Sequence, residues 1–412
     1  MRDPEQIVVV GAGAAGCLAA IFAAQHGARV RLLERTKDGG RKILISGGGR
    51  CNVLPSQLSP AQYFTASSPN TLKKMLLSWP LSEQRRFFEE VLGIPLKLEA
   101  ESGKLFPVSD KARDVRDGLV DFAKQQGVRF QHNCYVTGLR AQNGDWRVQV
   151  EGDEDIAAAR VVVATGGLSV PATGSDGTGM RVLRQLGHTI HDLYPALTPL
   201  TCEPPRHAEL AGVSLDVVLR TSTLSASGGF LFTHRGYSGP AVLDISHVAV
   251  QSRMRGAERA TILAQWTERS AADWQATLQQ KGSATIGALL RRELPARLAD
   301  ALLREAHLDA QLTTSQLKKE DRHRLVEMLT AYPLPWTGDE GYKKAEVTGG
   351  GVALAEVDPR TMESRLQPGL YLCGEVLDAF GPIGGYNFAW GWATGRAAGI
   401  GAAQSIHDSG TT

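Results

Sequence analysis

Ile7-Val8-Val9-Val10 is an unbroken β-branched tetrad that stops at Gly11, and the apolar pattern resumes as an alanine-rich stretch from Ala14 to His26, closed by Gly27. The tetrad suits a parallel strand covered on both faces, and the longer small-residue stretch suits a helix with a glycine at its end. A second short segment, Arg29 to Leu33, ends at Glu34. The order is therefore strand, turn, helix, strand. Two further apolar segments lie far along the chain. Val161 to Ala164 runs into Thr165-Gly166-Gly167, and Gly369 to Cys373 runs into Gly374-Glu375 and then, past Asp378, into a small-residue helix through Trp390, Ala393 and Gly395. Between them the pattern changes twice. From Tyr194 to about Trp266 apolar and polar residues alternate, as in Val213-Ser-Leu215-Asp-Val217, which predicts strands of a small barrel. From Thr267 to Ala331, Leu289, Leu290, Leu294, Leu298, Leu302 and Leu303 recur at helical steps until Pro333 and Pro335 break the pattern.

This alternation predicts an α/β protein with an insertion. Residues 1–190 and 342–404 form a discontinuous nucleotide-binding domain, 191–266 an inserted β domain, 267–341 an inserted helical subdomain, and 405–412 a loose tail. Glycine is scarce in the helical part, where 267–331 holds two, but 338–351 carries a cluster that reads only as a turn.

Composition narrows the function classes. Forty-five Lys and Arg against 43 Asp and Glu leave a net charge of +2, which argues against nucleic acid or an anionic membrane as the main partner. Arg291, Arg292, Lys318, Lys319, Arg322 and Arg324 read as a solvated helix face. The uncharged run from Gln6 to Ala28 holds four glycines and no leucine-rich centre, so it is neither a signal peptide nor a membrane span. Five scattered cysteines, with no CxxC pair, give no disulfide framework and no metal-ligand spacing, and a reducing cytoplasm fits them.

The chemistry starts at Gly11-Ala-Gly13-Ala14-Ala15-Gly16. Gly11 allows the tight turn, Gly13 lets a pyrophosphate approach the backbone, Gly16 lets helix and strand pack closely, and the helix N-terminus faces the phosphates. Glu34, 23 residues after Gly11, is placed to accept hydrogen bonds from ribose hydroxyls. The whole spacing GxGxxGxxxAxxxxxxGxxVxxxE holds, so a dinucleotide binds here. Past Arg35 comes a second glycine-rich loop. Arg41, Lys42, Ser46, Gly47, Gly48 and Asn52 offer charge and backbone donors to a pyrophosphate and to a polar ring such as an isoalloxazine. Ala164, Thr165 and Gly166 stand where a sheet's carboxyl edge meets a cofactor.

The chain resembles the two-dinucleotide-binding flavoproteins, and among them the BaiN-like or RdsA-like NAD(P)/FAD-dependent oxidoreductases. The resemblance is carried by GRKILISGGGRCN at 40–52, GKLFPVSDKARDV at 103–115, ATGG and GSDGTGM within 164–180, FTHRGYSGPAVLDIS at 232–246, EVTGGGV at 346–352 and CGEVLDAFGPIGGYNFAWGWATG at 373–395. It implies a Rossmann-like domain holding non-covalent FAD, with its adenosine on Gly11–Glu34 and its flavin against Gly384, Gly385, Tyr386 and Asn387. It also implies main-chain contact of Val136 with adenine, Gly374 beside the cofactor, and Asp378 at the ribitol or ribose hydroxyls.

No second GxGxxG with a terminal acid is present, so NAD(P)H acts as a transient donor at the flavin or the substrate is oxidised directly. Thr233-His234-Arg235-Gly236-Tyr237 gathers an imidazole, a guanidinium and a phenol in one loop, with His234 as acid or base, Arg235 binding a carboxylate or carbonyl, and Tyr237 donating a proton. The expected activity is hydride transfer between flavin N5 and a small organic substrate, for which the resemblance implies in the first instance NAD(P)H-linked reduction of a conjugated enone, or else oxidation of a small amine such as aminoacetone. The alternatives of another class are an RNA-modifying flavoprotein and a non-catalytic flavin-binding protein. Tyr194 and Trp390 are candidates to line the pocket. No feature of the sequence specifies an oligomeric state.

Overall fold

The computed structural model describes residues 7–256, 258–280 and 282–409, which fall into two compact units. One unit takes the chain up to Tyr194 and again from Val347, and the other is Pro195–Glu346.

The first unit is built on five parallel strands, β1 (Ile7–Val10), β2 (Val30–Leu33), β3 (Arg129–Gln131), β4 (Arg160–Val163) and β5 (Leu370–Leu372), in the order β5-β4-β1-β2-β3. Their apolar runs are continuous because the inner strands are buried on both faces, and Ile7, Val8, Val9, Val161 and Val162 expose nothing. Register does the functional work. Val10 pairs with Leu33 and Val163, and Val163 with Leu372, so the residues that follow, Gly11, Glu34, Ala164 and Cys373, reach one carboxyl edge together.

Helix α1 (Ala14–Gln25) joins β1 to β2, and the long C-terminal helix α2 (Tyr386–Ser409) lies against it. Their backbones approach so closely that a Cβ on Gly395 would stand 2.4 Å from the Ala15 carbonyl oxygen, and one on Gly399 2.2 Å from that of Ala19. Glycine at those positions is a packing requirement. The crossover from β3 to β4 is an antiparallel meander, Val136–Gln142, Asp145–Val150 and Ile156–Ala158. The expected loose tail is corrected in part. Helix α2 continues to Ser409, with Arg160 donating to the Ser405 hydroxyl and carbonyl oxygens, and residues 410–412 lie outside the described residues.

The cluster at 338–351 is also not a turn throughout. Val347–Val352 is a buried strand paired with Ile190–Ala196. A Cβ on Gly349 would lie 2.2 Å from the Tyr194 ring, and one on Gly350 2.2 Å from the Asp192 carbonyl oxygen, so these glycines let one strand sit on the other. That pairing moves the unit boundary from the expected 190/191 and 341/342 to 194/195 and 346/347.

The second unit carries an antiparallel sheet of seven strands in the order Tyr332–Pro333, Leu263–Gln265, Ser214–Arg220, Ser225–Phe232, Gly236–Ser238, Leu200–Thr201 and Gly338–Asp339. The alternation is read correctly as strands, but they form an open sheet rather than a barrel: among the described residues its two end strands do not pair. Helix Pro240–Met254 packs on the strand Ser225–Phe232. The helices within 271–330 share one core with the sheet, in which Phe230, Trp266, Trp274, Leu290, Leu302 and Leu325 are all buried, so the β and helical insertions are one unit. No described helix is long and apolar enough to cross a membrane.

Candidate functional site

A cavity in the first unit follows the carboxyl edge of the parallel sheet. Gly11, Gly13, Ala14 and Ala15 line it at the start of α1. A Cβ on Gly13 would meet no atom within 4 Å, whereas one on Gly16 would lie 1.8 Å from the Gly11 carbonyl oxygen. Gly16 is therefore a packing glycine outside the wall, and Gly13 borders open space of the kind a pyrophosphate requires. Glu34 lines the cavity where β2 ends. Its Oε2 accepts from the Ala12 N–H at 2.9 Å and its Oε1 from the Thr36 N–H and hydroxyl, which fixes the carboxylate and leaves Oε2 acceptor capacity for a ribose hydroxyl.

Arg35 lies over the Tyr135 ring, 4.4 Å from its centroid, and pairs with Asp176, which also accepts from the Tyr135 hydroxyl. Burial would raise the Asp176 carboxyl, but hydrogen bonds from Thr178 and Tyr135 and the Arg35 charge hold it below the usual carboxylate range. Val136, Ala164, Thr165 and Gly166 are in the wall, and the buried Thr165 hydroxyl has no hydrogen-bond partner in the protein. An unpartnered hydroxyl, an open Gly13 and a held acid at the end of β2 together fit a dinucleotide.

At the other end stand Lys42, Gly374, Glu375, Asn387 and Phe388. The Lys42 ammonium donates to Glu375 Oε2 at 2.7 Å and to the Ser169 hydroxyl oxygen at 2.6 Å. Glu375 Oε1 accepts from the Ser169 hydroxyl and the Thr348 N–H, and the Thr348 hydroxyl oxygen accepts from the N–H groups of Leu168 and Ser169. Burial would push Glu375 up; the Lys42 charge and these hydrogen bonds outweigh it and hold the carboxylate low. Four sequence segments far apart in the chain meet at this ion pair. Glu375, Ser169 and Thr348 escape the sequence reading, although Glu375 stands just past β5 as Glu34 stands just past β2.

Asp378 is the residue expected at the ribitol or ribose hydroxyls. It is outside the cavity wall, and its Oδ2 accepts from the Thr65 hydroxyl, the N–H groups of Ala66 and Ser67, and the Ser67 hydroxyl. Ser46, Gly47, Gly48 and Asn52 also lie off the wall, with the Ser46 hydroxyl donating to the Ile43 carbonyl. Gly384, Gly385 and Tyr386 shape the turn into α2: a Cβ on Gly385 would strike the Leu54 backbone at 2.5 Å, and the Tyr386 carbonyl accepts from the Tyr63 hydroxyl. Asn387 staples that turn through Gly381 and Pro382. Tyr194 packs on Gly349, and the Trp390 indole N–H donates to the Gly374 carbonyl.

In the second unit His234 and Arg235 are exposed, while Tyr237 is buried and donates to His207 Nδ1 at 2.8 Å when Nε2–H faces Glu305 at 2.9 Å. Burial, together with the neighbouring Cys202, Tyr332 and Glu305, pushes the Tyr237 phenol well above its ordinary value. Of the basic face named above, Arg291 pairs with Asp300 and Arg324 with Asp321.

Every cation on the cavity wall carries an acid of its own: Arg35 has Asp176, Arg41 has Asp38 at 2.8 Å, and Lys42 has Glu375. A bound pyrophosphate therefore depends mainly on backbone N–H groups at the start of α1, which salt screens weakly. The dissociation constant of a dinucleotide bound there is expected to change less than about threefold between ~0.05 and ~0.5 M salt. A tenfold change in a fluorescence titration would show that the side-chain cations carry the binding.

Comparison with known proteins agrees with this geometry. The family described as HI0933-like protein Rossmann domain matches residues 5–401. The chain is 34% identical over 400 residues to a protein named ribosomal RNA dihydrouridine synthase from Escherichia coli (strain K12), covering 95% of this chain and 96% of that protein. It is 32% identical over 410 residues to a 3-dehydro-bile acid delta(4,6)-reductase from Clostridium scindens, covering 97% and 99%. Among solved structures, a 3-ketosteroid-delta4-(5alpha)-dehydrogenase from Rhodococcus jostii RHA1 aligns with a TM-score of 0.53 at 18% identity over 98% of both chains, a likeness of fold. The near-neutral charge does not suffice to set nucleic acid aside, since the name of the Escherichia coli relative contains one.

Proposed function

The chain belongs to the HI0933-like Rossmann-domain family and is a flavin-dependent oxidoreductase, and from that premise we propose that it saturates a carbon–carbon double bond conjugated to a carbonyl group. The observation that carries the cofactor part is the cavity, with Glu34 at one end, Gly13 bordering open space, the unpartnered Thr165 hydroxyl, and the Lys42–Glu375 pair beside the start of α2. FAD bound there supplies hydride at N5. Glu34 would hold the adenosine ribose, the first residues of α1 the pyrophosphate, and Glu375 with Lys42 the polyol that follows. The buried thiols of Cys17 and Cys51, both pushed up to about 12 by burial, support non-covalent binding, and five free buried cysteines support a reducing compartment such as the cytoplasm.

The reaction class rests on what the two relatives' names share. A delta(4,6)-reductase saturates a conjugated alkene, and a dihydrouridine is a uridine whose ring double bond, conjugated to a carbonyl, has been saturated. Both ask the protein for the same things: a flavin charged by NAD(P)H, a carbonyl partner and a proton. His234 and Arg235, exposed on their loop, would serve substrate contact, and the buried Tyr237 would brace that loop through His207.

An anaerobic two-stage experiment tests this. The purified yellow protein is expected to bleach with NADH or NADPH and to regain its colour with a conjugated steroid enone or with uridine-containing ribosomal RNA. Bleaching by aminoacetone, with hydrogen peroxide formed on admitting air, would replace the reading with an amine oxidase. Protein that is colourless and refuses added FAD would sink both.

A further inference from the structure

Hydride delivery to the far carbon of a conjugated double bond leaves an enolate, and the reaction finishes only when a proton reaches the carbon next to the carbonyl. We propose that His191 donates that proton, a role that rests on the double-bond reading above. Its setting is built from three segments of the first unit. Ser67 Oγ lies 3.3 Å from His191 Nε2 and donates to Asp378 Oδ2 at 2.8 Å, and the Leu354 N–H donates to the same hydroxyl oxygen. Ser67 spends its only hydrogen on Asp378, so it can face His191 only as an acceptor. That fixes the tautomer. Nε2 carries a hydrogen and points inward, which leaves Nδ1 as the nitrogen that takes up and releases a proton. The Asp378 Oδ2 atom lies 3.7 Å from Nε2, so the carboxylate and Ser67 together hold that end of the ring. The His191 side chain is 30% exposed, against 3% for Asp378: the carboxylate is the buried anchor and the ring is the accessible end.

The position agrees with the chemistry. His191 lies on the strand Ile190–Ala196, where its carbonyl oxygen faces Gly350 on the paired strand. Gly350 is two residues, about 7 Å, along that strand from Thr348, whose N–H meets the cavity-lining Glu375. Asp378 follows Glu375 by three residues, and the adjoining run is zipped to segment 63–67, with Phe64 bridging Phe380 and the Tyr63 hydroxyl donating to the Tyr386 carbonyl. The dyad therefore sits one short step beyond the ion pair, on the strip of chain that leads to the start of α2. Other groups are less suited. His188 is buried with its two nitrogens facing Leu183 and Ser364, and His234 has no orienting carboxylate among the described residues.

The balance is complete with a reduced flavin as the reductant. Two electrons and a hydrogen pass to the far carbon, the Nδ1–H bond breaks as a C–H bond forms beside the carbonyl, and the neutral imidazole recovers its proton from water while NAD(P)H recharges the flavin. The test separates the two halves of the cycle in FAD-loaded wild-type and His191→Gln proteins, by anaerobic stopped flow with a conjugated steroid enone and with ribosomal RNA as probes. FAD affinity, melting temperature and the rate of bleaching by NAD(P)H are expected to match wild type, while reoxidation by the active probe slows by about 10²–10³-fold. Added imidazole is expected to restore part of that rate to His191→Ala. Reoxidation of both variants at the wild-type rate overturns the role of His191. Wild-type flavin that neither probe reoxidises overturns the double-bond reading, and the proposal with it.

Discussion

Replacing Gly16 by Ala is expected to give a colourless and destabilised protein, whereas replacing Gly13 by Val gives one that melts as the flavin-free wild type does but no longer takes up FAD. The two glycines stand three residues apart in one turn, yet they meet different neighbours. A Cβ on Gly16 would fall 1.8 Å from the Gly11 carbonyl oxygen, a backbone atom that cannot move without opening the turn between β1 and α1. The cost of forcing such a contact is of the order of 3 kcal/mol or more, a large share of a typical domain's stability. Gly13 has φ of −80°, which any residue adopts, and a Cβ there touches nothing within 4 Å. A valine at 13 therefore strains nothing in the fold and fills only the space reserved for the ligand. FAD affinity is expected to fall at least about 100-fold in both variants, and thermal melting without FAD tells them apart. Equal melting of both flavin-free variants would refute the distinction.

The second large effect is expected at Lys42 and Glu375. Their side chains are 26% and 18% exposed, so removing one partner strands a charge in a poorly solvated wall. Breaking a fully buried pair costs ~3–5 kcal/mol, and partial exposure brings the expectation to ~2–3 kcal/mol. Lys42→Met and Glu375→Gln should each lower the unfolding free energy of the FAD-loaded protein by that amount. The double variant should be no worse than the poorer single, because removing both charges removes the conflict. Denaturant titration of the four proteins checks this. Strictly additive losses would show that the two groups act independently and that the ion pair has no energetic meaning.

The parts of this site that are legible in sequence are those encoded locally. The strand Ile7–Val10, its glycine turn, the alanine-rich helix and Glu34 lie within 28 residues, and each constrains the next through chain geometry alone. Glu375 follows the same rule at the end of β5, but Asp378, three residues on, offers the same charge, and only the register of β5 against β4 separates them. Ser169, Thr348 and the pair of Ser67 with His191 are brought together by contacts spanning more than a hundred residues, which no local pattern carries. The inserted sheet shows the same limit: alternation in Ser214–Arg220 reveals a strand, but not whether the last strand closes on the first.

The discontinuous first unit also has a consequence for synthesis. Residues of β1 leave the ribosome early, yet their sheet lacks a strand until Leu370–Leu372 follows, and α1 lacks its partner until Tyr386–Ser409 is made. At ~5–20 residues per second, that delay is roughly 20–70 s. Pro195–Glu346 is continuous and completes its own set of contacts first. During that interval the nascent glycine turn has no finished cleft in which to hold a flavin, so a chain arrested with Glu346 clear of the ribosomal exit tunnel and Leu370–Leu372 still inside it should display a folded insert and an N-terminal segment that protease can still cut.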